Sequence, residues 1–298
     1  MTFAQMGQPN GVRLSGINRF VDLNSGIRLD ELVTRASLSL RVLYPQGMRH
    51  DQSFVRVYVN NQLSGLSQLS VARAGVPHTV EIELDPLLFS DFATIRVEYD
   101  GTYDSECVDP GNPTLRFDIR PESTLTIGST PLNLVNDLAL LPAPFFDPRD
   151  NRKLRLPLVL PVEQTEASMK AAGILASWMG AQAFYRQAEF ELLEAASPTR
   201  HTIILTKGKK MPEGMSEADI EGPSLMIVSA KENPWIKHLY VMGRSDEELL
   251  QAMYGLVIEG QVLSGQKALI KKVDLGAPRK PYDAPRYVPT NRPVRFAE

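Results

Sequence analysis

The chain has a single cysteine, Cys107, among 298 residues, so no disulfide can form within it and thiol content does not fix a redox compartment. Four histidines, at 50, 78, 201 and 238, are scattered, whereas a structural zinc site needs four Cys or His ligands at short spacings. No stretch approaches the roughly 18 to 20 uninterrupted apolar residues that span a bilayer. The opening MTFAQMGQPNGVRLSG has neither a basic region nor an apolar run and is not a signal peptide. Basic excess is missing too. With 32 Lys and Arg against 35 Asp and Glu, the net charge is -3, which excludes the electrostatic footprint of a nucleic-acid binder.

Glycine is also absent where a nucleotide would need it. Phosphates require several backbone N–H groups at close approach, yet the loop Pro161-Val-Glu-Gln-Thr165 has no glycine, and Glu163 would repel an anion. Lys207-Gly-Lys-Lys210 lacks the upstream glycines of a P-loop and is a solvated turn. No Gly-x-Ser-x-Gly elbow occurs, and Cys107 has no histidine near it in sequence. Asp104, Glu106 and Asp109 share one loop, whereas a glycosidase pair flanks the sugar from separate elements. The expectation is a non-enzyme without cofactor or metal.

What is present divides into two halves of different period. Ala36–Leu43, Phe54–Val59, Thr79–Leu84, Ala93–Tyr99 and Ser123–Ile127 alternate apolar with polar residues, as strands with one packed face do. Turn signals at Tyr44-Pro-Gln-Gly47, Asn60-Asn61, Asp85-Pro86 and Asp109-Pro-Gly-Asn-Pro113 space them as in an antiparallel sandwich or jelly roll. After residue 150 the pattern changes. A short apolar run, Leu154–Leu160, precedes a helical period from Gln164 to Met179 with Thr165 as N-cap. Strands follow at His201–Thr206, Ser224–Ser229 and Leu239–Met242. Ser245 then opens a last helix, with Glu248 three residues on as in a capping box. That order predicts an open, mostly parallel sheet with flanking helices. The expected boundaries are a flexible tail over 1–10, a sandwich over 11–147, an α/β domain over 148–276 and an extended tail over 277–298.

Two segments carry the functional expectation. The loop 101–113 groups Tyr103, Asp104, Glu106 and Asp109, and Arg116 and Phe117 follow it. A flat ring beside acids and amides is how glycan sites are built; the alternative is a long loop pinned by its prolines. Arg116-Phe-Asp-Ile-Arg120 also has the RxxxR spacing of some cyclic-dinucleotide readers, but without an accompanying Asp/Asn-x-Ser-x-x-Gly it is a solvated strand face. The second segment is the connector NDLALLPAPFFDPRD. Its three prolines forbid a helix, while Leu140, Leu141, Phe145 and Phe146, with Asp147 beside them, are expected to bury apolar area between the two halves or else to extend one core.

NDLALLPAPFFDPRD followed by Leu154-Arg-Leu-Pro157 resembles the junction in the B subunit of bacterial cellulose synthase. So do Phe89-Ser-Asp-Phe92, Glu106-Cys-Val-Asp-Pro110, Ala176-Ser-Trp-Met-Gly-Ala181 and the closing Lys280–Phe296. The resemblance implies a jelly-roll carbohydrate-binding domain followed by a flavodoxin-like domain that binds no flavin, the first of two such repeats. It implies a fragment of a periplasmic parent held to the inner membrane by a C-terminal anchor. The implied partners are the catalytic synthase subunit, the nascent β-1,4-glucan and further copies of the chain, with assembly scaffolding as the alternative role. The family has also been labelled cyclic di-GMP-binding, although a periplasmic domain would not meet a cytoplasmic messenger. The segment after Cys-x-Asp-Pro usually carries a tryptophan in this family; here Arg116 or Phe117 stands in its place, which weakens direct glucan binding there.

Overall fold

The structure is a computed structural model that describes residues 1–15, 18–103, 109, 112, 115–209, 220–258, 262–273 and 275. Its described strands and helices run as β1 (Val12–Ser15), β2 (Phe20–Gly26), β3 (Glu31–Leu43), β4 (Phe54–Val59), β5 (Gln62–Gln68), β6 (His78–Leu84), β7 (Phe92–Asp100), β8 (Arg116–Ile119) and β9 (Thr124–Pro131). Then come β10 (Leu154–Val159), α1 (Glu166–Ala183), β11 (Ala188–Leu193), β12 (Thr202–Lys207), β13 (Ser224–Ser229), β14 (Lys237–Gly243), α2 (Asp246–Val257) and β15 (Lys267–Leu269).

The first nine strands form two antiparallel sheets. One has the order β1-β8-β3-β6, with β9 also pairing β3, and the other β2-β7-β4-β5. Alternation explains why they face each other. Leu38, Leu40 and Val42 on β3 and Val55, Val57, Val59, Ile95 and Val97 on β4 and β7 fall in one phase, and all are buried in one core. Residues 1–10, expected as a flexible tail, are instead part of this unit. Phe3 is fully buried, Thr2 bridges Thr124 and the Phe3 N–H donates to the Ser123 carbonyl at 2.8 Å. The hydrophobic Phe3 anchors a segment whose polar composition hid it.

The second unit is a six-stranded sheet in the order β11-β10-β12-β14-β13-β15. β11, β10, β12 and β14 are mutually parallel, whereas β13 runs antiparallel to both β14 and β15. Leu156, Leu158, Ile203, Leu205, Leu225, Ile227, Leu239 and Val241 share one face with Leu175 and Met179 of α1 and Leu249 and Met253 of α2. Both described helices therefore cover a single face and pack on each other. Each is opened by its expected cap: Ser168 N–H donates to Thr165 Oγ1 at 3.2 Å with the reciprocal bond at 2.8 Å, and Glu248 N–H donates to Ser245 Oγ at 3.4 Å. In the second cap the Glu248 carboxylate accepts from Arg244 N–H at 2.9 Å, one residue upstream of the N-cap. No described helix is long and apolar enough to cross a membrane.

Candidate functional site

Asp104, Glu106 and Cys107 lie outside the described residues. Tyr103 is half-buried, and its hydroxyl accepts from the Asp109 N–H at 2.8 Å. Arg116 is exposed and pairs with Asp118 at 3.3 Å. Phe117 departs from the expectation that it belongs to a carbohydrate-binding group with the 101–113 loop. It is fully buried, sandwiched between Tyr44 and Tyr99 with ring centroids 5.9 and 5.1 Å away. With its ring fully buried against two tyrosines in the core, it is not presented to a ligand. Burial of the Tyr99 hydroxyl pushes its pKa well above the usual tyrosine range.

The connector decides between its two expected roles. Leu138, Phe145 and Phe146 belong to the core of the α/β unit, with Leu141 packed against it and Leu140 half-buried. They extend the core of that unit, the second of the two expected roles, instead of being buried between the two units, and the peptide bonds to Pro142 and Pro144 are both cis. What joins the units is polar. Arg28, at the turn after β2, donates to both oxygens of Asp30 at 2.7 and 2.9 Å, to Asp150 at 3.2 Å and to the Pro144 carbonyl at 2.7 Å. Asp147, wholly buried, accepts from the Leu29 N–H at 2.7 Å and from the Arg149 guanidinium at 2.7 and 2.9 Å. Burial would raise this carboxyl, but the Arg149 side chain and the two backbone donors hold it below the usual range. Asp30 behaves likewise: burial opposes ionisation, and hydrogen bonds from His201 and Arg28 overcome it, leaving its pKa well below the ordinary value. His201 Nδ1 accepts from the Lys237 N–H at 3.0 Å, which leaves Nε2 to donate to Asp30 at 3.2 Å. Lys237, buried without a carboxylate partner among the described residues, binds Asn133, Ser229 and the Pro234 carbonyl at 2.8 to 2.9 Å and so ties the segment after β9 to β13 and β14.

Beside this seam runs an open groove of about 1380 Å³. Its sandwich side is the outer face of β2 and the start of β7, with Asp22, Asn24 and Phe92, together with the N-terminal segment 1–7; on the other side are residues 148–153, with Arg149 and Asn151, and Tyr185 and Arg186. The connector can seat here because Gly26 has no side chain: a Cβ on it would lie 1.7 Å from the Arg149 carbonyl oxygen. Phe92 is 69% exposed and Tyr185 73%. Reasoning from motifs missed both, although each left a signal. In Phe92-Ala-Thr-Ile-Arg-Val-Glu-Tyr99 the phenylalanine stands in the phase of Thr94, Arg96 and Glu98, and Ala93 takes the buried phase. Phe184-Tyr185 stands where a helix usually ends in glycine.

Comparison with known proteins gives two family matches in series. Residues 1–131 match the family described as cellulose synthase BcsB, first CBM domain, and residues 137–270 match cellulose synthase BcsB, first FD domain. The whole chain is 35% identical over 300 residues to a cyclic di-GMP-binding protein of Escherichia coli O157:H7, covering 38% of it. It is 34% identical to a protein of the same name from Pseudomonas fluorescens, covering 40% of that one, and 30% identical to putative cellulose synthase 2 of Komagataeibacter xylinus, covering 20%. The chain thus spans well under half the length of these relatives.

Proposed function

The chain belongs to the BcsB family of cellulose synthase, and on that premise we propose that it is a non-catalytic part of a cellulose synthase complex. In this reading it supports cellulose synthesis from the periplasmic face of the inner membrane and helps to guide the nascent β-1,4-glucan. Its sandwich is a jelly-roll carbohydrate-binding domain, its α/β unit is flavodoxin-like, and its principal partner is the catalytic synthase subunit. The observation that carries this is the order of the two family matches over two units with separate cores. The carboxylates of the seam support a structural role for it, since Asp30, Asp147 and Asp150 are each engaged by guanidinium groups.

The test is to delete the segment encoding this chain in its host and measure cellulose deposition, alongside assay of the purified chain with UDP-glucose and with cello-oligosaccharides. Lost deposition and no turnover are expected. Unchanged cellulose would overturn the role, and turnover of either compound would overturn its non-catalytic part. Two further readings have a specific basis. Burial of Phe117 favours assembly scaffolding over sugar contact at the 101–113 loop. Cyclic di-GMP binding rests on the relatives' names, but Arg116 is already paired with Asp118; calorimetry with cyclic di-GMP separates it from the others.

A further inference from the structure

The groove between the two units has the chemistry of a binding site that is not the loop after β7. Its volume of about 1380 Å³ exceeds the roughly 300 to 1,000 Å³ of a small-molecule pocket, which suits a polymer segment better than a compact ligand. Its charges are already spoken for. Asp22 is held by Arg96 at 2.7 Å, Arg149 by Asp147 and Asp91 at 2.7 and 2.9 Å, Arg152 by Glu31 and Asp150 at 2.7 and 2.9 Å, and Lys153 by Glu189 at 3.1 Å. Of the lining side-chain cations only Arg186 lacks a carboxylate partner among the described residues, and its guanidinium is engaged by four backbone carbonyls. Available polar capacity lies in neutral groups: Asn151 has no side-chain partner among the described residues, and Asn24 uses only its oxygen, accepting from Thr94 at 3.1 Å.

Two exposed rings line this groove from different units, Phe92 from the sandwich and Tyr185, with the Arg186 guanidinium 5.5 Å from its ring centroid, from the turn after α1. That turn is built to present its ring. Phe184 and Gln187 on either side of it adopt positive φ, 49° and 66°, a conformation that costs energy in a bulky residue without glycine's freedom. Phe184 is itself 80% exposed, so it recovers nothing from packing in a core. Arg186 fixes the turn: its guanidinium donates to the carbonyls of Ala183, Gln182, Pro148 and Asp150 at 3.1, 3.1, 2.6 and 2.9 Å. Exposed aromatic faces on a rigid, charge-compensated, amide-bearing groove match an uncharged polyhydroxylated chain, whose C–H faces stack on rings and whose hydroxyls meet amides.

We propose that the groove between β2, β7 and the turn after α1 binds a segment of neutral β-linked glucan, with Phe92 and Tyr185 as stacking residues and Asn24 and Asn151 as hydroxyl contacts. The proposal rests on the cellulose-synthesis reading above and adds to it the site and the ligand's neutrality. The experiment titrates the full chain with cellohexaose, following the ring resonances of labelled Phe and Tyr. Oligogalacturonate serves as the anionic counterpart, and Phe92→Ala, Tyr185→Ala and Leu66→Ala are compared with the unaltered chain. Cellohexaose is expected to bind, and Phe92→Ala and Tyr185→Ala each to raise its dissociation constant roughly three- to tenfold. Leu66→Ala, an exposed apolar change on another strand, is expected to leave binding unchanged, and all three variants to melt like the parent. Absent binding at millimolar cellohexaose, equal binding of the galacturonate, or full affinity in both ring variants would each overturn the groove. Cellulose deposition after deletion tests the broader reading independently, so one can fail while the other stands.

Discussion

Phase alone separates the two aromatic residues that matter most on the sandwich. Phe117 shares its phase with Ile119 and goes into the core; Phe92 shares its phase with Thr94 and Arg96 and stays out. The information was in the alternation, whereas proximity to a motif pointed to the wrong ring. Phe145 shows the same rule for stability. It is buried in the α/β core with its edge on His201, ring centroids 6.0 Å apart. Phe145→Ala is expected to cost about 3 to 5 kcal/mol in urea unfolding, as large-to-small changes at filled sites do; a loss under about 1 kcal/mol would mean that the connector merely lies on the core. Asp147 yields a pH dependence. Its folded pKa is depressed, so at mildly acidic pH the unfolded chain binds the proton more readily. The stabilisation is full above the unfolded carboxylate value of about 3.9 and is lost as pH falls from there through the folded value. Asp147→Asn should lower stability at pH 7 by about 2 kcal/mol through weakened charged hydrogen bonds and flatten the decline as pH falls below the unfolded carboxylate value of about 3.9. An acid limb as steep as the parent's would show that other carboxylates carry it.

At the scale of elements, local chemistry fixed the helix starts well. α1 and α2 begin where Thr165 and Ser245 place them, because an N-cap acts through a bond to a residue only three positions away. Ser245→Ala should cost about 1 kcal/mol, read as a lower urea midpoint, and Ser245→Asp should restore it; a neutral alanine would mean that the Arg244–Glu248 pair holds the turn alone. Elements whose identity depends on distant partners were less legible. β1 is four residues long and exists by pairing with β8. β11 alternates weakly and is fixed by its parallel register with β10. Residues 1–10 show no period, yet a buried phenylalanine and bonds to the start of β9 hold them. The single-sided placement of both helices was not visible either, since amphipathic spacing shows that a helix has a buried face but not which side of a sheet receives it.

At the scale of the molecule, two cores are joined by charges far apart in sequence. Arg28 and Asp150 are 122 residues apart, and Asp30 and His201 are 171 apart. No local pattern encodes such pairs, which is why the apolar connector stood out in the sequence while the residues that make the seam did not. Polar seams between domains ordinarily permit relative motion. This one is stiffened because one mostly buried guanidinium, that of Arg28, binds a carboxylate of its own unit and both a carboxylate and a carbonyl of the other. Removing it breaks the links to Asp150 and to the Pro144 carbonyl, while the bonds of Asp30 to His201, Glu31 to Arg152 and the Leu29 N–H to Asp147 still cross the seam. Arg28→Ala should therefore loosen the coupling, broadening or splitting the calorimetric unfolding transition and widening the distance distribution in small-angle scattering, with each core still melting cooperatively. Salt should act less on this pairing than on surface pairs such as Arg13 and Asp118, because the Debye length of about 8 Å at physiological ionic strength screens exposed charges first. If Arg28→Ala unfolds in a single step with an unchanged scattering profile, the coupling resides instead in Asp147 and in the seat of Arg149 on Gly26, and combining Asp147→Asn with Arg28→Ala would then be required to separate the two units.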